Sequence, residues 1–160
     1  MKFEGYLYDI IDARDSVSMG SLAASEDGSS VSADNPAASR DAAYAFRISL
    51  RPGSPIYAGH FPGFPITPGV ALLTIVRELL ERRLTELGQA RGNPARPTMS
   101  GEHISLTLAS ADDVKFLHPL TPDHNPVTIT FKNFQNGRLK AEITSSAAIH
   151  ARMTLSYNML

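Results

Sequence analysis

One long helical pattern runs over residues 68–87, and its opening turns, VALLTIV at 70–76, are apolar on nearly every side. A helix of that kind has to be enclosed, because a surface helix carries only one apolar stripe. The rest of the patterned chain reads as strand, so the enclosure has to be a sheet. FEGYLYDII at 3–11 is rich in aromatics and isoleucine. AYAFRISLR at 43–51 sets Tyr44, Phe46, Ile48 and Leu50 against Ala45, Arg47 and Ser49, a period-two strand with one buried face. After the helix come HISLTLA at 103–109, DVKFLHPL at 113–120, PVTITFKNF at 126–134 and a last strand pair within 138–157. Asn136-Gly137 marks a hairpin between the last two of these stretches. No crossover helices separate these strands, so the expected class is α+β with an antiparallel sheet, not a doubly wound one.

The ends of the helix carry their own signals. Thr67 is placed as N-cap, Pro68 as the first helical residue and Gly88 just past the end. Beyond Arg77 the pattern turns amphipathic, with Leu79, Leu80, Leu84 and Leu87 inward and Glu81, Arg82, Arg83 and Glu86 toward water. Two stretches lack periodicity. Residues 14–42, dominated by Ser, Ala, Asp and Gly, are expected to hold a short strand near 18–24 and a mobile hairpin or loop, and 88–101 a basic surface loop.

A chain of 160 residues is expected to form one domain over 1–160. Its formal net charge of −1 argues against a nucleic-acid or membrane-surface binder. Cysteine is absent, which excludes disulfides and thiolate metal sites and fits a reducing compartment. The N-terminal MKFEGYLYDIID has no basic segment followed by an apolar one, so no signal peptide is expected, and the location expected is cytoplasmic.

Immediately before the helix lies YAGHFPGFPITPGVALL, residues 57–73, with three prolines and three glycines around a single histidine. GHFPGFPITPGV within it resembles the G-H-F-P-G-x-P-x-x-P-G-V signature of the FabZ-type hydroxyacyl-thioester dehydratases, matching at His60, Phe61, Pro62, Gly63, Pro65, Pro68, Gly69 and Val70. DVKFLHPLTP at 113–122 is similar to a second family pattern, and the resemblance extends over about 43–157. It implies the hotdog fold, a long central helix wrapped by a curved antiparallel β-sheet. It also implies homodimers joined edge to edge, some associating further, with active sites at the interface.

The reaction implied is loss of water from a (3R)-hydroxyacyl thioester to give the trans-2-enoyl thioester. No cofactor or metal is implied; the substrate carries phosphopantetheine on acyl carrier protein or coenzyme A, and acyl carrier protein is the expected partner. His60 then takes the base position, and the Gly69 and Val70 amides at the helix start are candidates for the thioester carbonyl. Phe61 and Leu73 are the expected substrate contacts beside them. The acidic position of the pattern is filled by Thr74, whose hydroxyl is no general acid but can hold a water or a substrate hydroxyl. Glu78, one turn later, is the candidate replacement, reaching back over Thr74 directly or through a water; its ordinary reading is an exposed pair with Arg82. Arg82, Arg83, Arg91 and Arg96 form a candidate docking patch for an acidic carrier protein, against the commoner reading of solvated arginines. The remaining histidines, 103, 118, 124 and 150, lack ligand spacing and are read as structural or solvated. Two other functions stay open: a non-catalytic thioester binder, favoured by Thr74, and, ranked last, a thioesterase.

Overall fold

The computed structural model describes residues 2–16, 43–90 and 103–159. Among the described residues, six strands and one long helix make the fold. The strands are β1 (Tyr8–Ser16), β2 (Ala43–Leu50), β3 (Leu106–Phe116), β4 (Val127–Gln135), β5 (Arg138–Thr144) and β6 (Ile149–Met159). A four-residue helix α1 (Ile56–Gly59) precedes the long helix α2 (Gly69–Ala90), and a 3-10 turn spans Pro122–His124. These strands all pair antiparallel, in the order β1-β2-β4-β5-β6-β3, so β1 and β3 are the edges of the sheet among the described residues. This is the α+β hotdog arrangement expected above.

Strand alternation builds the core directly. Phe46, Ile48 and Leu50 on β2, Val127, Ile129 and Phe131 on β4, and Leu139, Ala141 and Ile143 on β5 turn inward. They meet Ala71, Leu72, Ile75, Val76, Leu79 and Leu80 of α2 in one cluster. Burying one such aliphatic side chain stabilises by roughly 1.5–3 kcal/mol, so this shared face dominates the fold. At the β4–β5 turn Asn136 and Gly137 take φ of 52° and 74°, the left-handed pair that a two-residue hairpin requires.

The helix is pinned to the sheet edge by polar side chains. Glu81 Oε1 accepts the Leu106 amide at 2.8 Å and Thr85 Oγ1 accepts that of Ile104 at 3.1 Å, which fixes where β3 begins. No helix among the described residues is long and apolar enough to cross a membrane.

Several expectations need correction. The first strand begins at Tyr8 rather than Phe3, because Gly5 at φ 79° and the Phe3 carbonyl close residues 3–8 into a turn. The two stretches expected as separate strands are one strand, β3, in which a bulge near Asp113 (φ 50°) absorbs the charged ADD run. The helix starts at Gly69 and passes through Gly88 to Ala90, so Gly88 is not its terminator. Its opening turns are only partly enclosed by the described residues: Val70 is 71 % exposed and Leu73 and Thr74 are half-buried. The expected strand at 18–24 lies outside the described residues, as does the expected loop beyond Ala90 as far as 102.

Candidate active site

His60 follows directly on α1, and its ring is half-buried. Nδ1 lies 3.1 Å from the carbonyl oxygen of Ile66. A carbonyl only accepts, so Nδ1 carries the proton, and Nε2 keeps its lone pair with no hydrogen-bond partner among the described residues. The loop reaches this arrangement through tight local geometry. Phe61 sits at φ 64°, a left-handed conformation that costs a side-chain-bearing residue about 1 kcal/mol or more, and Gly63 follows at φ 85°. The Phe64 amide donates to Phe61 O and that of Ile66 to Phe64 O, both at 2.9 Å, while Pro62, Pro65 and Pro68 fix φ between the turns.

Contrary to the expectation from the sequence, Thr67 does not cap the helix. Its hydroxyl pairs with the buried Tyr57 Oη at 3.0 Å, and its amide donates to Leu120 O at 2.8 Å. Burial pushes the Tyr57 phenol above its ordinary pKa. The helix start is left with free donors instead. The Ala71 and Leu72 amides both turn to Pro68 O, at 3.0 and 3.1 Å, whereas those of Gly69 and Val70 have no acceptor among the described residues. They stand at the positive end of the helix dipole. The Phe116 ring lies against Gly69, where a β-carbon would come within 2.7 Å of it.

Thr74 donates its hydroxyl hydrogen to Val70 O at 3.1 Å, which leaves the oxygen only lone pairs to offer. Glu78 does not reach back over it. Its Oε1 accepts the Phe3 amide at 2.8 Å, and its Oε2 accepts the Glu4 amide at 3.3 Å and the Tyr8 hydroxyl at 3.0 Å. Two of those donors are the otherwise unpaired amides of the N-terminal turn, and Thr74 has no hydrogen left to compete with them, its own being given to Val70 O. Burial first, then the Glu78 charge and hydrogen bond, push the Tyr8 phenol well above its usual pKa. The Glu78–Arg82 pair is also replaced: Arg82 reaches Glu4 at 3.0 Å and Glu86 at 3.2 Å. Arg83 lies over the Tyr44 ring at 3.7 Å, so the two described arginines of the expected four-residue docking patch, Arg82 and Arg83, both make contacts within the chain. Arg91 and Arg96 lie outside the described residues.

Of the expected substrate contacts, Phe61 is exposed and Leu73 packs at the margin of the core. Phe64, Val70, Phe116 and Leu117 are exposed as well, giving the loop and helix start an apolar collar. The residues missed by sequence reading are Ile66 and Tyr57. Ile66 acts through its backbone, which no side-chain pattern signals, whereas Tyr57 lay inside the quoted loop. Among the described residues no three His, Asp or Glu side chains gather as a metal site.

A family model described as ApeI-like, ApeI dehydratase, matches residues 36–153. The chain belongs to the ApeI-like dehydratase family. Two curated proteins named 3-hydroxyacyl-[acyl-carrier-protein] dehydratase FabZ, from Campylobacter concisus (strain 13826) and Campylobacter curvus (strain 525.92), are each 37 % identical over 76 residues. The match covers 44 % of this chain and 44 % of each relative, so this ApeI-like chain spans less than half the length of those relatives. A solved structure from Lactococcus lactis, proposed to be a thioesterase, aligns over 98 % of this chain and 96 % of its own with a TM-score of 0.52. At 10 % identity that likeness concerns the fold alone.

Proposed function

We propose that this chain dehydrates a (3R)-3-hydroxyacyl thioester to the trans-2-enoyl thioester, the acyl group being presented on the phosphopantetheine of acyl carrier protein or coenzyme A. One observation carries the reading: His60 has Nδ1 committed to Ile66 O and Nε2 free, in the same loop-to-helix unit that leaves the Gly69 and Val70 amides unpaired. Those amides receive the thioester oxygen and stabilise the enolate-like charge that builds there as the C2–H bond breaks. Nε2 takes the C2 proton. The C3–O bond then breaks, the C2–C3 double bond forms, and the departing oxygen takes the proton back from Nε2–H, so water leaves and His60 is restored neutral. Thr74 Oγ1, its own hydrogen spent on Val70 O, accepts from the 3-hydroxyl and aims it. Glu78, holding the N-terminal turn, has a structural part.

The apolar collar and the outer edge of β3, unpaired among the described residues, support a homodimer in which a second copy closes the acyl site. A second reading, a non-catalytic thioester binder, is favoured by the absence, among the described residues, of a free carboxylate near Thr74. Incubation with a 3-hydroxyacyl carrier-protein thioester separates the readings: enoyl product, lost in His60→Ala, is expected. Free acid would mean thioesterase chemistry, and tight binding without product would mean a binder.

A further inference from the structure

The Ile66–Thr67 peptide group touches His60 on one side and the sheet-linking segment on the other. It is a trans unit, since Asn125-Pro126 is the cis bond among the described residues. In a trans peptide the N–H and C=O vectors point in opposite directions. The Thr67 N–H is held by Leu120 O at 2.8 Å, so the Ile66 C=O of the same plane is driven the other way, onto His60 Nδ1 at 3.1 Å. Rotation of that plane by tens of degrees would withdraw the carbonyl from the imidazole and free His60 to take either tautomer.

One backbone hydrogen bond does not by itself stop such rotation. The second restraint is the Thr67 side chain, buried at 4 % exposure and bonded to Tyr57 Oη at 3.0 Å. Tyr57, itself 5 % exposed, sits on α1 three residues before His60. The histidine and its orienting carbonyl are therefore tied together twice, once through Nδ1 and once through the Tyr57–Thr67 pair. Neither hydroxyl has another hydrogen-bond partner among the described residues.

We propose that Tyr57 is a positioning residue for His60: through Thr67 it fixes the Ile66–Thr67 peptide plane, and with it the tautomer that leaves Nε2 as the free base. The inference rests on the reading of His60 as base, but its primary readout needs no turnover. Imidazole nitrogen signals of His60, measured by NMR in the free protein, report the tautomer directly. The wild type is expected to show the Nδ1–H form. Tyr57→Phe and Thr67→Val, each removing one hydroxyl and little volume, are expected to move the signals toward a mixture of tautomers. If the dehydratase reading holds, both also lower kcat about tenfold or more with KM retained, because misaligned groups lose rate rather than ground-state binding. The double variant is expected to lose no more than either single one, as both act on one bond. Thr67→Ser, which keeps the hydroxyl, is expected to keep the wild-type signals. Unchanged signals in Tyr57→Phe and Thr67→Val overturn the proposal, and so does a shift in Thr67→Ser equal to that of Thr67→Val. Should Tyr57→Phe fail to fold, the two Thr67 variants decide by the same readout. A wild type that makes no enoyl product, with the tautomer shift still present in the variants, removes the dehydratase reading and leaves the positioning role standing.

Discussion

His60 and His150 hold one side of their rings alike. His60 sets Nδ1 against Ile66 O at 3.1 Å, and His150 sets it against the carbonyls of His118 and Pro119 at 3.2 and 3.1 Å. On the other side they part. His150 Nε2 accepts the Ser145 hydroxyl at 2.7 Å, inside a site where the residue is 1 % exposed and the His124 ring lies 4.6 Å away. His60 Nε2 has no hydrogen-bond partner among the described residues, and its ring packs edge-on against the exposed Phe61 at 4.7 Å. The two regions show that a backbone carbonyl only chooses the tautomer. Whether the remaining nitrogen does chemistry depends on whether a neighbour has already claimed it.

The sharpest break of that comparison is His60→Ala. Loss of a positioned general base lowers turnover by about 10²–10⁴-fold, and the urea midpoint should hardly move, because the ring makes one bond at a half-buried position. Rates of enoyl formation beside a denaturation curve check both halves. The mirror experiment is His150→Leu, which strands the Ser145 hydroxyl and two carbonyls without their partner. Stability should fall by about 3 kcal/mol, read from urea unfolding. A loss of stability in His60→Ala as large as this one would dissolve the distinction.

Glu78→Gln tests a third claimed group. Gln keeps one acceptor but turns its NH2 group toward either the Phe3 or the Glu4 N–H, so about 1–2 kcal/mol of stability should go while the rate on hydroxyacyl thioester is retained. A collapse of the rate in folded Glu78→Gln would return this carboxylate to the chemistry.

The gentlest test is pH. Burial, with the neighbouring His124 and His118 adding to it, holds the His150 pKa below its ordinary 6.5 despite the opposing pull of the two carbonyls. Unfolded, His150 takes a proton near 6.5; folded, it does so only at lower pH. Its stabilising contribution is therefore whole above about 6.5 and is lost as pH falls from there toward the folded pKa. Urea midpoints across that window should drop toward acid in the wild type and drop less in His150→Leu.

The fold was legible because strand alternation and helix periodicity are written in single side chains: Phe46, Ile48 and Leu50 face inward as their spacing requires. The placement of His60 just before the long helix was legible for a similar reason, through a motif of fixed spacing, although the helix begins one residue later than expected. Glu78 was misplaced because helical spacing says which groups can meet, not which competitor arrives first, and here the competitors came from residues 3–8. The turn at 3–8 and the unbroken β3 were hidden because left-handed φ at Gly5 and Asp113 decides them, and apolar patterning carries no trace of it. Thr67 satisfied every rule for an N-cap, yet its hydroxyl was taken by a tyrosine ten positions back.

Gly69 is the seat on which the Phe116 ring rests, with no room for even one carbon between them. The ring is 55 % exposed and hinged only at its own torsions, so a methyl at position 69 would swing it outward with little harm to the packing beneath. The ring would then stand further from the helix start, whose Gly69 and Val70 amides have no acceptor among the described residues. A donor in contact with water grips a developing oxyanion less firmly than a dry one. A single missing methyl group thus sets how closely the ring can approach the helix start.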